Sequence, residues 1–327
     1  MTRDRPRQML DDILGWPAAL SSLLDAYERP DGPLCGLDGL VAQRILVTGL
    51  GSSRYAGLTV VAHMRASGMT AWTEVAGPDA PTRPSHEALV FAVSASGATP
   101  EVVEAVHRHR PTGAVVGVTD RPGSAVADGA DVILPLLAGG ETSGVSCRTY
   151  GATLAVLGLA AARLGAQGPT IEHLRTAIPA LRKLHRHRGL WLTKAADLID
   201  GAPSIDVVSG ARRPGSARQA ALMLREGPRL PATHQDVSDW SHVAIYTSLP
   251  GHRVIVFDGT PDDAELVRVV SARGGAAIVI GRPVEGAALT IQTPLPHDSH
   301  PIARAIVEIA VVDLLAAELW RRADAAG

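Results

Sequence analysis

The sequence predicts an α/β protein made of two doubly wound parallel-sheet units, preceded by a helical arm. Short β-branched runs alternate with helix-length segments. These runs are nearly continuously apolar, which is typical of strands covered on both faces. The first four runs are followed by four similar ones about 160 residues later, which indicates an internal duplication. With 327 residues and 46% hydrophobic content, the chain can supply a core to each copy.

The first predicted element is an N-terminal helical arm, assigned to residues 1–39. Within it, QMLDDILGWPAALSSLLDAYE (residues 8–28) spaces its apolar residues for one buried helical face.

The first unit is assigned to residues 40–168 and contains four apolar runs. They are RILVTGL (44–50), ALVFAVS (88–94), AVVGVTD (114–120) and DVILPLL (131–137). Helices are expected between the runs, for instance from Thr99 to His109 and from Thr149 to Leu164.

Residues 169–200 are predicted to form a helical bridge, and their HRHRG segment (185–189) is expected to be a solvated cationic stretch without a role. The second unit is assigned to residues 201–327, with expected helices from Asp262 to Arg273 and from Ile302 to Arg322. Its strand candidates are SIDVVSG (204–210), RVIVFDG (253–259), AAIVIGR (276–282) and ALTIQTP (288–294).

Composition limits the classes of partner and compartment. The net charge of −2 gives no basic field for nucleic acid or an anionic membrane surface. The first residues alternate charges instead of forming an apolar signal sequence, and no apolar run is long enough for a membrane span. We therefore expect a cytoplasmic protein without nucleic-acid or membrane partners. Cys35 and Cys147 have no metal-ligand spacing, so no zinc site or disulfide framework is implied.

Small hydroxylated residues mark the point where the second strand of the first unit meets its helix. In FAVSASGATPEVVEAVHRHRP (91–111), Ser94, Ser96, Gly97 and Thr99 stand at this junction. Ligands of open α/β sheets bind beyond the carboxyl ends of the strands, and hydroxyls with helix N–H groups suit a phosphate dianion. The same residue types also cap ordinary helices, so the motif alone leaves both interpretations open.

A nucleotide-binding interpretation is weaker. Gly49 and Gly51 supply two glycines of a G-x-G-x-x-G pattern, and Glu74 follows at a distance suited to a ribose. The third glycine position is Arg54, however, and no Walker lysine is present.

Several motifs together resemble the SIS (sugar isomerase) family, most closely the isomerase domain of glucosamine-6-phosphate synthase. The motifs are GLGSSRYAG (49–57), SASGATPEV (94–102), GGETSGVSCR (139–148), AALMLREGP (220–228) and DWSHV (239–243). The resemblance spans essentially the whole chain in order, but the amidotransferase domain is not among the matching segments.

The resemblance implies a site for a sugar phosphate, with the following substrate-binding residues: Ser53, Ser94, Ser96 and Thr99 around the 6-phosphate, Gly51 and Ser52 shaping the loop, Ala95 beside them, and Ser146 near the sugar hydroxyls. It also implies that Glu226 shuttles a proton between C1 and C2 and that His242 opens the pyranose ring. In this family the histidine comes from the neighbouring subunit, so a homodimer is expected. No metal or organic cofactor is expected.

The residue types agree with that chemistry, because a partly buried carboxylate can take a proton next to a carbonyl and histidine titrates near neutral pH. A salt-bridged Glu226 beside Arg225 and an ordinary surface His242 are the alternatives. Glu141 is a second carboxylate candidate for orientation or proton relay.

Departures from the family pattern put simple isomerisation in doubt. Gln219 and Met223 replace a glutamate and a lysine before the base, and Ala95 and Ala98 replace a glutamine and a glutamate in the phosphate loop. The lysine-bearing tail of the family is absent from the final residues WRRADAAG.

An N-acetylamino sugar phosphate would suit Met223 and Ala95. The chain also resembles N-acetylglucosamine-6-phosphate dehydratases, and this resemblance implies a lyase of that type. The alternatives are an isomerase or deaminase acting between glucosamine 6-phosphate and fructose 6-phosphate, and a non-catalytic phosphosugar sensor.

Overall fold

The computed structural model describes residues 4–40, 42–77, 81–296 and 298–326. The chain divides into two compact units, which we name after the sheet that each contains. The first-sheet unit comprises Ala18–Gly140 and Arg148–Thr176. The second-sheet unit comprises Met1–Pro17, Glu141–Cys147 and Ala177–Gly327.

The first sheet is parallel, with five strands in the order β2-β1-β3-β4-β5. The strands are β1 (Arg44–Gly49), β2 (Thr70–Val75), β3 (Ala88–Val93), β4 (Val115–Thr119) and β5 (Val132–Pro135). The helices of this unit are α2 (Gly51–Ala66), α3 (Pro100–His109), α4 (Ala125–Gly129), α5 (Arg148–Arg163), α6 (Ile171–Arg175) and the C-terminal part of α1 (Arg5–Glu28).

The centre of this sheet forms the core of its unit. Strands β3 and β4 are buried along their whole length, as expected for a parallel sheet covered on both faces. The strand order reverses between β1 and β3, because β2 is added on one side of β1 and β3 to β5 on the other. Gly49 lies opposite Val93 there. The loops after these two strands therefore open at the switch point, where open α/β sheets bind ligands.

The second sheet has the same topology, with the order β10-β9-β8-β6-β7. Its strands are β6 (Ile205–Ser209), β7 (Ala232–Asp236), β8 (Arg253–Phe257), β9 (Ala276–Ile280) and β10 (Leu289–Ile291). The helices of this unit are α7 (Ala177–Arg186), α8 (Leu192–Ile199), α9 (Pro214–Glu226), α10 (Val237–His242), α11 (Asp263–Ala272), α12 (Pro301–Ala326) and the first residues of α1. The predicted class, duplication and N-terminal helix are thus confirmed.

Two features differ from the sequence analysis. It identified four strands per unit and missed β2 and β7, which pair with only one neighbour each and carry partly exposed, polar sequences. Such strands lack the continuous apolar run of a central strand. The HRHRG segment is not wholly solvated either. His185 is 6% exposed, and burial, reinforced by the charge of Arg188, lowers the pKa of its imidazole to about 4.

Within the described ranges, no helix combines the length and the apolar character that crossing a bilayer requires.

Candidate functional site

Three hydroxyl groups meet in the loop after β3. Ser94 Oγ lies 2.8 Å from Thr99 Oγ1 and 3.4 Å from Ser96 Oγ. Ser94 is only 2% exposed, whereas Thr99 is half-buried and Ser96 is exposed. The cluster therefore leads from the interior to the surface and can offer several O–H donors to one anion.

Thr99 does not act as a helix cap. It occupies the N-cap position of α3, yet its side chain makes no capping hydrogen bond. Thr170 in the same unit shows the contrasting case, because its hydroxyl accepts the N–H of His173 at 3.2 Å. The interpretation of Thr99 as an ordinary helix cap is therefore excluded.

The first turn of α2 lies beside the same loop. Gly51, Ser52 and Ser53 form this turn, and the N-cap residue Leu50 offers it no side-chain acceptor. A Cβ atom on Gly49 would lie 2.9 Å from the Val93 carbonyl oxygen and 3.3 Å from the Cβ of Ser53. The structure thus brings Ser53 next to the end of β3, with the positive end of a 16-residue helix alongside.

The loop after β3 that carries Ser94, Ser96 and Thr99, which we call the hydroxyl loop, is held by contacts with the end of β4. The carbonyl oxygen of Ala95 accepts the Asp120 N–H at 3.1 Å and the Thr119 hydroxyl at 3.3 Å. Gly97 has a φ of +64°, and a Cβ there would lie 1.9 Å from Ser124 Oγ. The sequence analysis missed Thr119 and Asp120, since it treated AVVGVTD only as a strand.

The duplicated loop after β8 contains its own anion. Counted from the last residues of β3 and β8, Asp258 stands at the position of Ser94. Asp263, the first residue of α11, stands at the position of Thr99, the residue before α3. The Asp263 carboxylate accepts the N–H groups of Gly259 at 2.7 Å and Thr260 at 3.0 Å.

In the hydroxyl loop, the N–H groups at those two positions belong to Ala95 and Ser96. They find no acceptor among the described residues. The first-sheet loop therefore has the donors of an anion site without an internal carboxylate to fill it.

Glu226 is the last residue of α9, in the second-sheet unit. It is exposed, but the protein around it removes part of the solvent from its carboxyl group. This desolvation raises the pKa of Glu226, while the charges of Arg225 and Arg5 oppose the shift. No ion pair joins Glu226 to another described residue, so the salt-bridged alternative is not what the structure contains. A carboxyl group with a raised pKa is better suited to proton transfer near neutral pH.

The segment Glu141–Cys147 belongs to the same unit and carries two more predicted residues, Glu141 and Ser146. The carbonyl oxygen of Ser146 accepts a hydrogen bond from Gln219 Nε2 at 2.9 Å. Glutamate, the family residue at position 219, could not donate this bond when ionised. Burial, assisted by the charge of Glu141, holds the pKa of Asp313 well above its ordinary value.

His242 ends the short helix α10, and its side chain is exposed. The helix is anchored by Trp240, which is 1% exposed and donates Nε1–H to Asp206 at 2.9 Å. Burial alone would raise the pKa of Asp206, but hydrogen bonds from His252, Thr233 and Trp240 hold it below the ordinary value. His242 is thus held on an anchored helix and faces outward.

The predicted residues fall into two groups. The substrate-binding residues 51–53, 94–96 and 99 lie in the first-sheet unit. Ser146 and the three predicted catalytic residues, Glu141, Glu226 and His242, lie in the second-sheet unit. Among the residues that the structure describes, no cluster of His, Cys, Asp and Glu side chains could hold a metal ion.

Comparisons with known proteins agree with this architecture. A family model described as SIS domain matches residues 40–163. The glutamine–fructose-6-phosphate aminotransferase (isomerizing) of Aeropyrum pernix is 31% identical over 293 residues, covering 84% of this chain and 47% of that relative. The chain spans about half the length of the curated relatives it matches.

Solved structures share the fold over nearly the whole chain. The C-terminal domain of glucosamine-fructose-6-phosphate aminotransferase from Francisella tularensis has a TM-score of 0.80 at 16% identity, covering 97% of this chain and 96% of that one. Tagatose-6-phosphate ketose/aldose isomerase from Escherichia coli has a TM-score of 0.82 at 18% identity, covering 96% and 92%. The chain therefore contains a SIS domain at residues 40–163 and is homologous to the isomerase domain of glucosamine-fructose-6-phosphate aminotransferase.

Proposed function

We propose that the protein is an enzyme that binds an amino-sugar 6-phosphate, abstracts the C2 proton of its open-chain form and eliminates water. The observation that carries the phosphosugar part is the hydroxyl cluster of Ser94, Ser96 and Thr99, because Thr99 does not cap its own helix. The proposed class of substrate also agrees with the names of the relatives, which are phosphosugar enzymes.

Phosphate binding is assigned to the first-sheet unit. The hydroxyls of Ser53, Ser94, Ser96 and Thr99 and the N–H groups of Ala95 and Ser96 would donate to the phosphate oxygens. The first turn of α2, shaped by Gly51 and Ser52, would add its helix dipole. The contrast with Asp263 supports this assignment, since a carboxylate satisfies the equivalent donors of the second loop.

Proton transfer is assigned to Glu226. In the proposed reaction His242 opens the pyranose ring, and Glu226 then removes the C2 proton to give an enolate. The electron pair of the enolate expels the C3 hydroxyl, which takes up the proton from Glu226 and leaves as water. The product is an unsaturated sugar phosphate with its nitrogen retained. Glu141 would orient the sugar or relay the proton, and Ser146 would contact its hydroxyls.

Isomerisation or deamination is the second candidate. The curated relatives and the Escherichia coli structure carry names of enzymes that interconvert sugar phosphates. This candidate is weakened by Gln219 and Met223, which are buried and, unlike the glutamate and lysine of the family pattern, cannot act as an acid or a base.

A homodimer is part of the proposal. Beside the exposed His242, three large apolar side chains are uncovered: Val243 is 65%, Tyr246 77% and Leu249 65% exposed. Large exposed apolar side chains grouped closely in the chain favour a protein contact. A second copy of the chain covering it would take His242 to the site of its neighbour.

The decisive experiment follows the C2 proton of N-acetylglucosamine 6-phosphate and of glucosamine 6-phosphate by NMR in deuterated water. Loss of one water with retained nitrogen supports elimination, whereas a ketose or released ammonia supports the second candidate. Glu226→Gln should abolish C2 exchange and retain binding. The exposed Glu285 of the same unit provides the matched control Glu285→Gln, which should leave exchange unchanged. Binding with an inert C2 under all conditions would leave only a phosphosugar sensor.

A further inference from the structure

Arg5, in the first turn of α1, contacts the segment that carries Glu141 and Ser146. Its Nε and Nη2 atoms donate to the carbonyl oxygen of Ser143 at 2.9 and 2.8 Å. The segment leaves room for this side chain, because a Cβ on Gly144 would lie 3.1 Å from Arg5 Nη2. Arg5 therefore makes a two-pronged contact with a residue 138 positions away in the chain.

A second side chain of α1 binds the same segment. The carboxylate of Asp12, which is 3% exposed, accepts the N–H groups of Thr142 at 3.0 Å and Ser143 at 3.1 Å. Together with the bond from Gln219 to the Ser146 carbonyl, these contacts fix both ends of the segment.

Arg5 is also connected to the end of α9, which carries Glu226, through Trp320. Its guanidinium lies over the ring of Trp320, 5.2 Å from the ring centroid. Trp320 packs against Gly227, the residue after Glu226, where a Cβ would lie 3.0 Å from Trp320 Cε3. Arg5 and Trp320 line one cavity with Gly227, and the charge of Arg5 acts on the Glu226 carboxyl.

The position of Arg5 is unfavourable for its helix. A cation in the first turn meets the positive end of the helix dipole, and α1 has no acidic residue in that turn. The contacts with Ser143 and Trp320 offset this cost, which indicates that they, and not the stability of α1, explain an arginine here.

We infer that Arg5 is a positioning residue that joins the Glu141–Cys147 segment to the end of α9 and so sets the placement of Glu141, Ser146 and Glu226. Its catalytic consequence rests on the proposed function. The bidentate contact needs the planar guanidinium, so lysine is expected to supply the charge without the geometry.

The charged groups near Glu226 define the expected pH effect. Arg225 and Arg5 act on its carboxyl, and Arg229 and Asp324 line the cavity that Arg5 shares. Removing Arg5 takes away one of the two cations that oppose the desolvation of Glu226. The pKa of Glu226 should therefore rise further in Arg5→Gln.

The test compares Arg5→Gln and Arg5→Lys with Arg7→Gln, a matched control at an exposed arginine two residues further along α1. Two quantities are measured in the full chain: the titration midpoint of the Glu226 carboxyl by ¹³C NMR, assigned with Glu226→Gln, and the pH profile of C2 exchange in N-acetylglucosamine 6-phosphate. In Arg5→Gln, the midpoint and the acid limb of the profile should move to higher pH. The kcat should fall at least about tenfold with KM changed less than about threefold. In Arg5→Lys, kcat should fall while the midpoint stays near that of the wild type.

A midpoint in Arg5→Gln equal to that of Arg7→Gln would overturn the inference, whatever the activity. Exchange rates in both Arg5 variants equal to the control would also overturn it. If the wild type exchanges no C2 proton of any sugar phosphate, the proposed function fails, but the NMR midpoint still decides the role of Arg5. Arg5→Lys keeps the kinetic test available if Arg5→Gln does not fold.

Discussion

Thr99→Val separates a ligand-binding hydroxyl from a structural one. Valine keeps the shape of threonine and removes only the oxygen that lies 2.8 Å from Ser94 Oγ. Because the Thr99 side chain does not cap α3, the helix loses no capping bond. The free energy of unfolding should fall only by the worth of one hydroxyl pair, about 0.5 to 1.5 kcal/mol.

The effect on binding should be larger. A hydrogen bond to a charged phosphate is worth about 1.5 to 3 kcal/mol, and about 1.4 kcal/mol corresponds to a factor of ten in affinity. Thr99→Val should therefore weaken binding of a sugar phosphate roughly 10- to 150-fold. Thr99→Ser, which keeps the hydroxyl, should stay within about threefold of the wild type.

The assay is isothermal titration with N-acetylglucosamine 6-phosphate and with inorganic phosphate at fixed ionic strength, since salt screens the interaction. Thr170→Val is the matched control, because Thr170 does cap α6 in the same unit. It should lower stability by about 1 kcal/mol and leave both affinities unchanged. If Thr99→Val, like Thr170→Val, leaves the affinities for N-acetylglucosamine 6-phosphate and for inorganic phosphate unchanged, the anion-site reasoning is wrong.

Two further predictions concern the loop glycine and the anchor of α10. Gly97→Ala should lower the free energy of unfolding and abolish phosphate binding, because Gly97 has a φ of +64° and an added Cβ would clash with Ser124. The control in the same titration is Gly123→Ala, since nothing lies within 4 Å of a Cβ added there. Equal phosphate affinities of the two variants would contradict the prediction. The pKa of Asp206 is depressed in the folded chain. Its contribution to the free energy of unfolding is therefore fully present above its pKa in the unfolded chain, about 4, and is lost as the pH falls from there through the folded pKa. Urea unfolding across pH 2.5 to 7 should therefore show that the free energy of unfolding falls less steeply toward acid pH in Asp206→Asn than in the wild type. At pH 7 the free energy of unfolding should be lowered by roughly 1 to 3 kcal/mol. An unchanged acid dependence would show that the Asp206 carboxylate does not hold Trp240 in this way.

The sequence predicted the central strands and the strand-end loops well, for a physical reason. Central parallel strands such as β3 and β4 are buried on both faces and must be apolar throughout, so they stand out in the sequence. Ser94 and Thr99 could be placed at the site because Ser94 directly follows β3 and Thr99 directly precedes α3.

Contacts between distant segments could not be predicted in the same way. The edge strand β2 has a mixed sequence and is recognised only when β1 pairs with it. Arg5 and Asp12 read as ordinary charges of an amphipathic helix, and nothing in their spacing points to a partner some 130 residues later. Their role follows only from the fold, which places the N–H groups of Thr142 and Ser143 against Asp12.

The divergence between the two duplicated loops explains which copy can take a ligand. In the loop after β8, Asp263 satisfies the donors of Gly259 and Thr260, and the Asp258 carboxylate pairs with Arg282 and Arg304. The N–H donors of Gly259 and Thr260 are therefore already satisfied in the folded chain, and an external phosphate would have to displace the Asp263 carboxylate from them. In the loop after β3, neutral hydroxyls stand in place of both carboxylates, so the loop keeps the donors and gives up the internal acceptor. The loop after β8 thus serves structure, whereas the loop after β3 leaves donors unfilled, and a dianion is the ligand class that matches what remains.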